Sequence, residues 1–255
     1  MLIPAGYREP VLTPRAARNV EALWTFAATQ QGCTVVLPDG RCDIILRFQA
    51  SGPALPIPII TGPATRPYTV HFTRGESWIG LRLRPGLGAA LWKDALNGRL
   101  NDVRRGADAL AVIPDLNVAL RNSGSSQEIE QALLSLPCIQ NARPCAAMLQ
   151  TALDTIHVSG GRMSISDLAR ICGCTTRHLG RLFHVGLGLS PKTYAQLVRF
   201  HRAVALLAAG VMPLSQVAFE TGYADHAHMC SELRLFGGFS PSTMPADLSQ
   251  PGFFG

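Results

Sequence analysis

Histidine is almost missing from the first half of this chain: His71 is the only one before His157, which leaves little from which to build a histidine-rich metal site there. Cysteine is present without a useful spacing. The seven cysteines lie at 33, 42, 138, 145, 172, 174 and 230, and no pair is set as in a zinc knuckle or a redox motif, so reduced thiols are expected. No nucleophile stands beside a base, and no glycine-rich phosphate loop follows a strand. Neither an enzyme nor a cofactor is expected from that pattern. Long apolar runs are lacking too, since the longest candidate, Ala203 to Leu214, is interrupted by Gly210 and Pro213 and is too short to cross a bilayer. Met1 to Arg8 show no basic start followed by an apolar run, so a cytoplasmic location is expected. Charged residues make up only 16% of the 255 and hydrophobic ones 47%, which suits a folded chain of two domains.

What the chain does have is one pattern written twice. Ile165, Leu168, Ala169 and Cys172 follow the i, i+3, i+4, i+7 spacing of a helix face and lead to Gly173; Leu214, Val217, Ala218 and Thr221 repeat it and lead to Gly222. A polar turn and a second amphipathic run follow each glycine, with Leu179, Leu182 and Phe183 in the first copy and Met229 and Leu233 at the matching places in the second. Both copies close on a shared phrase, Gly188-Leu189-Ser190-Pro191 and Gly238-Phe239-Ser240-Pro241, in which Ser suits an N-cap and Pro the first helical residue. Two helix-turn-helix units in tandem can enter two major grooves of double-stranded DNA.

The order of residues from Met163 to Met244 resembles the DNA-binding domain of the AraC family of bacterial transcription regulators. The resemblance rests on Ser166-Asp167-Leu168-Ala169, His178-Leu179-Gly180-Arg181-Leu182-Phe183, Gly186 to Pro191, Arg199 through Leu207, and Val217 to Tyr223. It implies a transcription factor, with contact to RNA polymerase, a homodimer and a small-molecule effector as compatible features.

Charge agrees with that expectation. The net charge is +6, and between Arg162 and Arg202 seven basic residues (Arg162, Arg170, Arg177, Arg181, Lys192, Arg199, Arg202) meet one acid, Asp167. On the second helix of the first copy, Arg177, Arg181 and His184 fall opposite the apolar edge. The two arginines are the expected base contacts, with Thr175 or Thr176 on phosphate and Lys192 able to reach phosphate from the next helix. In the second copy Arg177 corresponds to Ala227 and Arg181 to Ser231, a departure from the basic residue common in AraC-type domains. Its candidate readers are His226, His228 and Cys230, so it is expected to hold DNA less strongly.

The first half reads as strands: Cys33 to Leu37 and Asp43 to Phe48 as a hairpin about Pro38-Asp39-Gly40, then Ile57 to Ile60, Tyr68 to Thr73 and Trp78 to Leu83. Helical spacing frames them at Ala16 to Thr29 and Pro85 to Leu96. Val36 to Ile45, Gly62-Pro63 and Gly80 to Gly86 are similar to the N-terminal domain on one branch of AraC-type regulators, which implies a sensing or dimerising module. Asp43, Arg47, His71, Trp78 and Arg82 are polar or aromatic sheet residues that could line an effector pocket, or serve the sheet alone. A thiol or metal sensor is the alternative, because Cys33 and Cys42 flank the expected hairpin. The chain is thus expected to be α+β, with an N-terminal mixed α/β domain built on an antiparallel sheet and a C-terminal all-α domain with two helix-turn-helix motifs. The expected bounds are 1–122, a linker at 123–141, the DNA-binding domain at 142–247 and a tail at 248–255.

Overall fold

The computed structural model describes residues 6–49, 55–92, 96, 98–121, 125–142 and 145–245, so the expected tail lies outside the described residues. Strands come first: β1 (Tyr7–Arg8), β2 (Val20–Ala27), β3 (Gly32–Val36), β4 (Asp43–Phe48), β5 (Ile57–Thr61), β6 (Tyr68–Phe72) and β7 (Ser77–Leu83). Then follow α1 (Gly88–Trp92), β8 (Val103–Arg105), α2 (Ala107–Val112), α3 (Asp115–Arg121), α4 (Ser126–Leu134) and α5 (Pro137–Gln140). Helices complete the chain: α6 (Ala147–Val158), α7 (Ile165–Ile171), α8 (Thr176–Leu187), α9 (Pro191–Ala209), α10 (Leu214–Thr221) and α11 (His226–Gly237). The fold is α+β, with an antiparallel N-terminal sheet and a helical C-terminal region.

Six strands form one antiparallel sheet in the order β1-β2-β7-β4-β5-β8, and β3 with β6 forms a separate ribbon. Alternation gives the large sheet two different faces, because successive side chains on a strand point to opposite sides. Ile44 and Leu46 of β4, with Ile79, Leu81 and Leu83 of β7, enter a core closed by Leu91, Ile113, Leu116, Ile129, Leu133 and Ile139 from the helices α1 to α5 and their loops. Asp43, Arg47, Trp78 and Arg82 leave on the opposite side, where Ile45, Ile59 and Trp78 form a small second cluster against Trp24, Phe26 and Val70. Gly80 is opposite Trp24 in the β2–β7 register, and a Cβ there would lie 2.0 Å from the indole ring. Only glycine lets that ring lie across β7.

Three expectations fail in this half. Ala16 to Thr29 is not a helix: a short 3-10 turn, Ala16–Arg18, precedes strand β2. A register break between Val20 and Ala22 puts Val20 and Leu23 into the same core, and so writes a three-residue spacing into a strand rich in Trp, Thr and Phe. The expected hairpin is absent as well, since β3 pairs with β6 and β4 pairs with β5 and β7. Leu37 at the end of β3 is buried in the helical core instead of facing β4. Exposed Cys33 sits opposite His71 while Cys42 is buried in the first core, so the approach on which the thiol alternative relied does not occur. Finally, the expected linker at 123–141, whose sequence reads as helical from Gln127 to Leu136, carries α4 and α5 and packs with the first domain. Its Ile129, Leu133, Leu136 and Ile139 belong to the first core, and Ser125 closes a capping box with Glu128 at the start of α4.

The helical half keeps its pattern. Leu149, Leu153 and Ile156 of α6 meet Leu168, Phe183, Leu197, Phe200, Val204, Val217 and Leu233 in one core that joins both helix-turn-helix copies to the long α9.

Candidate nucleic-acid interface

In the first copy Ser164 accepts from the Asp167 N–H and caps α7, and Leu168 and Ala169 are its buried face. The chain turns at Gly173 (φ 65°) and Thr175 then caps α8, its hydroxyl accepting from the His178 N–H at 3.2 Å. Burial of Leu179, Phe183 and Leu187 fixes how α8 is rotated. Arg177, Arg181 and His184 therefore point to solvent along with Thr176, and nothing lies within 4 Å of the position a Gly180 Cβ would take. Arg181 Nη2 lies 3.1 Å from His178 Nδ1, a contact within the helix that leaves the other guanidinium nitrogens outward. Lys192 is exposed in the first turn of α9, after the Ser190 cap and Pro191.

The second copy repeats the frame. Gly222 (φ 79°) ends α10, Asp225 caps α11 by accepting from the His228 N–H at 2.7 Å, and Met229, Leu233 and Phe236 are buried. Gly188 and Gly238, at φ 69° and 73°, end α8 and α11 with the same bond back to the fourth preceding carbonyl. The surface chemistry differs. His226 and Ser231 are exposed, but Cys230 is buried with its sulfur 3.5 Å from His226 Nε2. His228 keeps 41% of its side chain exposed while lying edge-on to Tyr223, with ring centroids 5.2 Å apart and Nε2 3.5 Å from Glu232 Oε1.

Arg234 of α11 is not among the residues named from the sequence. It is exposed, and it matches His184 at the constant offset that relates Arg177 to Ala227 and Arg181 to Ser231. Conversely, part of the basic tally is already engaged. Arg199 is buried against Glu232, which also accepts from Gln196 Nε2 at 2.9 Å, and Arg170 pairs with Asp167 at 3.2 Å.

The five sheet residues Asp43, Arg47, His71, Trp78 and Arg82 line one cavity of about 450 Å³ between the large sheet and the β3–β6 ribbon. Arg82 Nε lies 3.4 Å from Asp39 Oδ2 and 3.6 Å from Asp43 Oδ1. Asp39, read from the sequence only as a turn residue, and Arg41 line it as well; Arg41 grips Glu21 through bonds of 2.6 and 3.0 Å. Arg47 pairs with Glu76 at 2.7 Å and lies over the Trp78 ring. Burial pushes the Asp43 carboxyl up to about 7, with Asp39 and Glu21 adding to the rise and Arg82 and Trp24 opposing it. Among the described residues no cluster of three His, Cys, Asp or Glu could hold a metal, and no helix is long and apolar enough to cross a membrane.

Residues 168–246 match a helix-turn-helix domain family, and residues 13–102 match a domain of unknown function. An uncharacterized HTH-type transcriptional regulator of Bacillus subtilis (strain 168) is 36% identical over 67 residues, 26% of this chain and 24% of the relative. The lactose operon transcription activator of Staphylococcus xylosus is 32% identical over 78 residues, 30% of this chain and 28% of the relative. The matched region thus spans only about a quarter of either relative, 24% and 28%. Among solved structures, a transcriptional regulator with an AraC-type DNA-binding domain from Chromobacterium violaceum is 27% identical and covers 37% of this chain and 86% of its own, with a TM-score of 0.35. ToxT from Vibrio cholerae covers 93% of this chain and 97% of its own at 8% identity and a TM-score of 0.47.

Proposed function

We propose, from the premise that this chain is an AraC-type regulator with a further N-terminal domain, that it binds DNA sequence-specifically by placing α8 and α11 in successive major grooves. The observation that carries this reading is the exposure of Arg177 and Arg181 on a helix whose other side is locked into the core by Leu179 and Phe183. Arginine can bond guanine O6 and N7 together, so two arginines one turn apart suit neighbouring bases. The N-terminus of α8, beside Thr175 and Thr176, suits a phosphate. The spacer α9 has 19 residues. That gives it a length of about 28 Å, of the order of the roughly 34 Å between successive major grooves.

The cavity in the first domain is the proposed effector site, and the turn from Leu37 to Arg41 its route to the DNA-binding half. Asp39 and Arg41 face the cavity while Leu37 is buried among the helices. The expected outcome of selecting bound fragments from a genomic DNA library is one recurring bipartite site, protected over two consecutive grooves. Recovery of fragments without a shared sequence would refute specific reading, and a footprint confined to one groove would refute the paired arrangement.

A further inference from the structure

We propose that the cavity between the six-stranded sheet and the β3–β6 ribbon takes an organic cation, an amine or amidine on an apolar frame, with its charge set against the Asp43 carboxylate. This rests on the reading of the cavity as the effector site and adds the chemistry of the ligand.

At the Asp43 end of the cavity the charges do not balance. Three carboxylates, Glu21, Asp39 and Asp43, share two guanidiniums, Arg41 and Arg82, and Arg41 is committed to Glu21 through two hydrogen bonds. Arg82 is left between Asp39 and Asp43 at 3.4 and 3.6 Å, longer than the roughly 2.7–2.9 Å of a charge-assisted bond. With Asp43 ionised, one negative charge is in surplus there. Asp43 Oδ1 is buried and has no hydrogen-bond partner, and neither do Trp24 Nε1 and Arg82 Nε and Nη1, the last residue facing the carboxylate only at ion-pair distance. A buried carboxylate oxygen without a donor is costly, and a ligand N–H⁺ supplies Oδ1 with a donor and the site with the missing charge.

The walls point the same way. Tyr7 and Trp24 are stacked at 5.9 Å, and Phe26 and Trp78 add further aromatic surface to the lining. Aromatic faces are electron-rich and attract cations, more so where water is excluded. An anionic ligand would bring a second uncompensated negative charge up to Asp39 and Asp43. The remaining arginines of the lining do not reverse this, because Arg47 is held by Glu76 while Arg66 and Arg105 are exposed and screened by salt. Trp78 is 92% buried, since its exposure is 8%, and its Nε1 lacks an acceptor, so a neutral oxygen on the same ligand would complete the fit. The volume of about 450 Å³ lies within the range of small-molecule pockets.

Cation binding requires Asp43 to be ionised. The charged and titratable groups around it are Glu21 of β2, Asp39 of the turn, Arg82 of β7, and Tyr7 and Tyr68 from β1 and β6. Binding should then drive a proton off Asp43 below neutrality and tighten as the pH rises from about 6 to about 8.

The test is calorimetric titration of the full chain with tryptamine, its neutral isostere tryptophol, and indole-3-acetate. Tryptamine is expected to bind about tenfold or more tightly than tryptophol, with indole-3-acetate weakest. Its heat should depend on the buffer in the sense of proton release. In Asp43→Asn the preference should shrink to within about twofold while tryptophol still binds; should that variant not fold, the buffer and pH dependence of the wild-type chain decide. Tryptophol or indole-3-acetate binding as tightly as tryptamine would overturn the cation and leave the effector cavity standing. No heat from any of the three, or heat that the cavity-filling Val70→Trp leaves unchanged, would overturn the cavity reading together with the cation.

Discussion

His201 Nε2, on the spacer helix α9, lies 2.8 Å from the carbonyl oxygen of Pro38. A carbonyl only accepts, so this nitrogen carries the proton. The bond joins the helix between the two DNA-reading units to the turn that forms part of the cavity wall. Around it, Leu37 is buried in the helical core, and a Cβ on Gly40 (φ 70°) would lie 2.8 Å from Leu189 Cδ1, so the turn is pressed against α9 and the loop before it. His201→Leu would leave the Pro38 carbonyl buried without this donor, and a loss of about 1–3 kcal/mol is expected in urea denaturation. An unchanged midpoint would show that the bond does not hold the turn in place.

Acid should unfold the protein through its two buried histidines. Burial holds His157 and His201 down at about 4, below the roughly 6.5 of an exposed imidazole. The unfolded chain then binds more protons between these values, so stability is full above about pH 6.5 and is lost as pH falls towards 4. Asp43 has the opposite sign: raised to about 7, it takes its proton in the folded state first and favours folding at lower pH. Two histidines outweigh one carboxyl. The melting temperature should fall between about pH 6.5 and 4.5, more steeply in Asp43→Asn and less steeply in His157→Phe. A wild-type profile that rises on acidification would contradict the assignment.

The two reading helices should be unequal. Arg177→Ala and Arg181→Ala each remove a group that can bond guanine twice, and a loss of about 1–3 kcal/mol in specific affinity with relaxed specificity at the contacted base is expected for each. Ser231→Ala should change little, because its hydroxyl is already donated to the Ala227 carbonyl at 2.9 Å. Arg234→Ala should weaken binding to all sequences and reduce the salt slope by about one. Gel-shift titrations at several salt concentrations separate these effects, and equal losses from Arg181→Ala and Ser231→Ala would remove the asymmetry.

Local chemistry was legible wherever the chain decides its own structure. The capping Ser190, the glycines 173, 188, 222 and 238, and the exposed Arg177 and Arg181 follow from residues within one turn of each other. What required distant partners was not. The bulge at Val20 to Ala22 imitated a helix, and the turn at Pro38 resembled a hairpin until His201 and Leu189 were in place. His228 was named for its place on α11, and nothing nearby announces its contacts with Tyr223 and Glu232. The five cavity residues could be named from their alternation on strands, yet Asp39 and Arg41 join them only through the crossing of separate sheets.

Arg199 and Glu232 provide the sharpest test of how α9 and α11 are held in register. Both side chains are nearly out of solvent, at 14% and 5% exposure, and the Arg199 guanidinium lies over the Tyr223 ring at 4.7 Å. Desolvating two charges offsets most of their attraction, so the pair need not add much net stability. Removing one partner is different. Glu232→Ala leaves a buried guanidinium without its counter-charge and frees the donors of Gln196 and Arg199, for which a cost of about 3–5 kcal/mol is expected. Replacing both residues, Arg199→Met with Glu232→Leu, should recover most of that loss, because no charge is then left buried alone. The comparison of the two variants in urea decides the matter: if Glu232→Ala is no less stable than the double replacement, the ion pair is not what ties α11 to the spacer, and Leu233, Phe236 and Phe200 hold the second unit by packing alone.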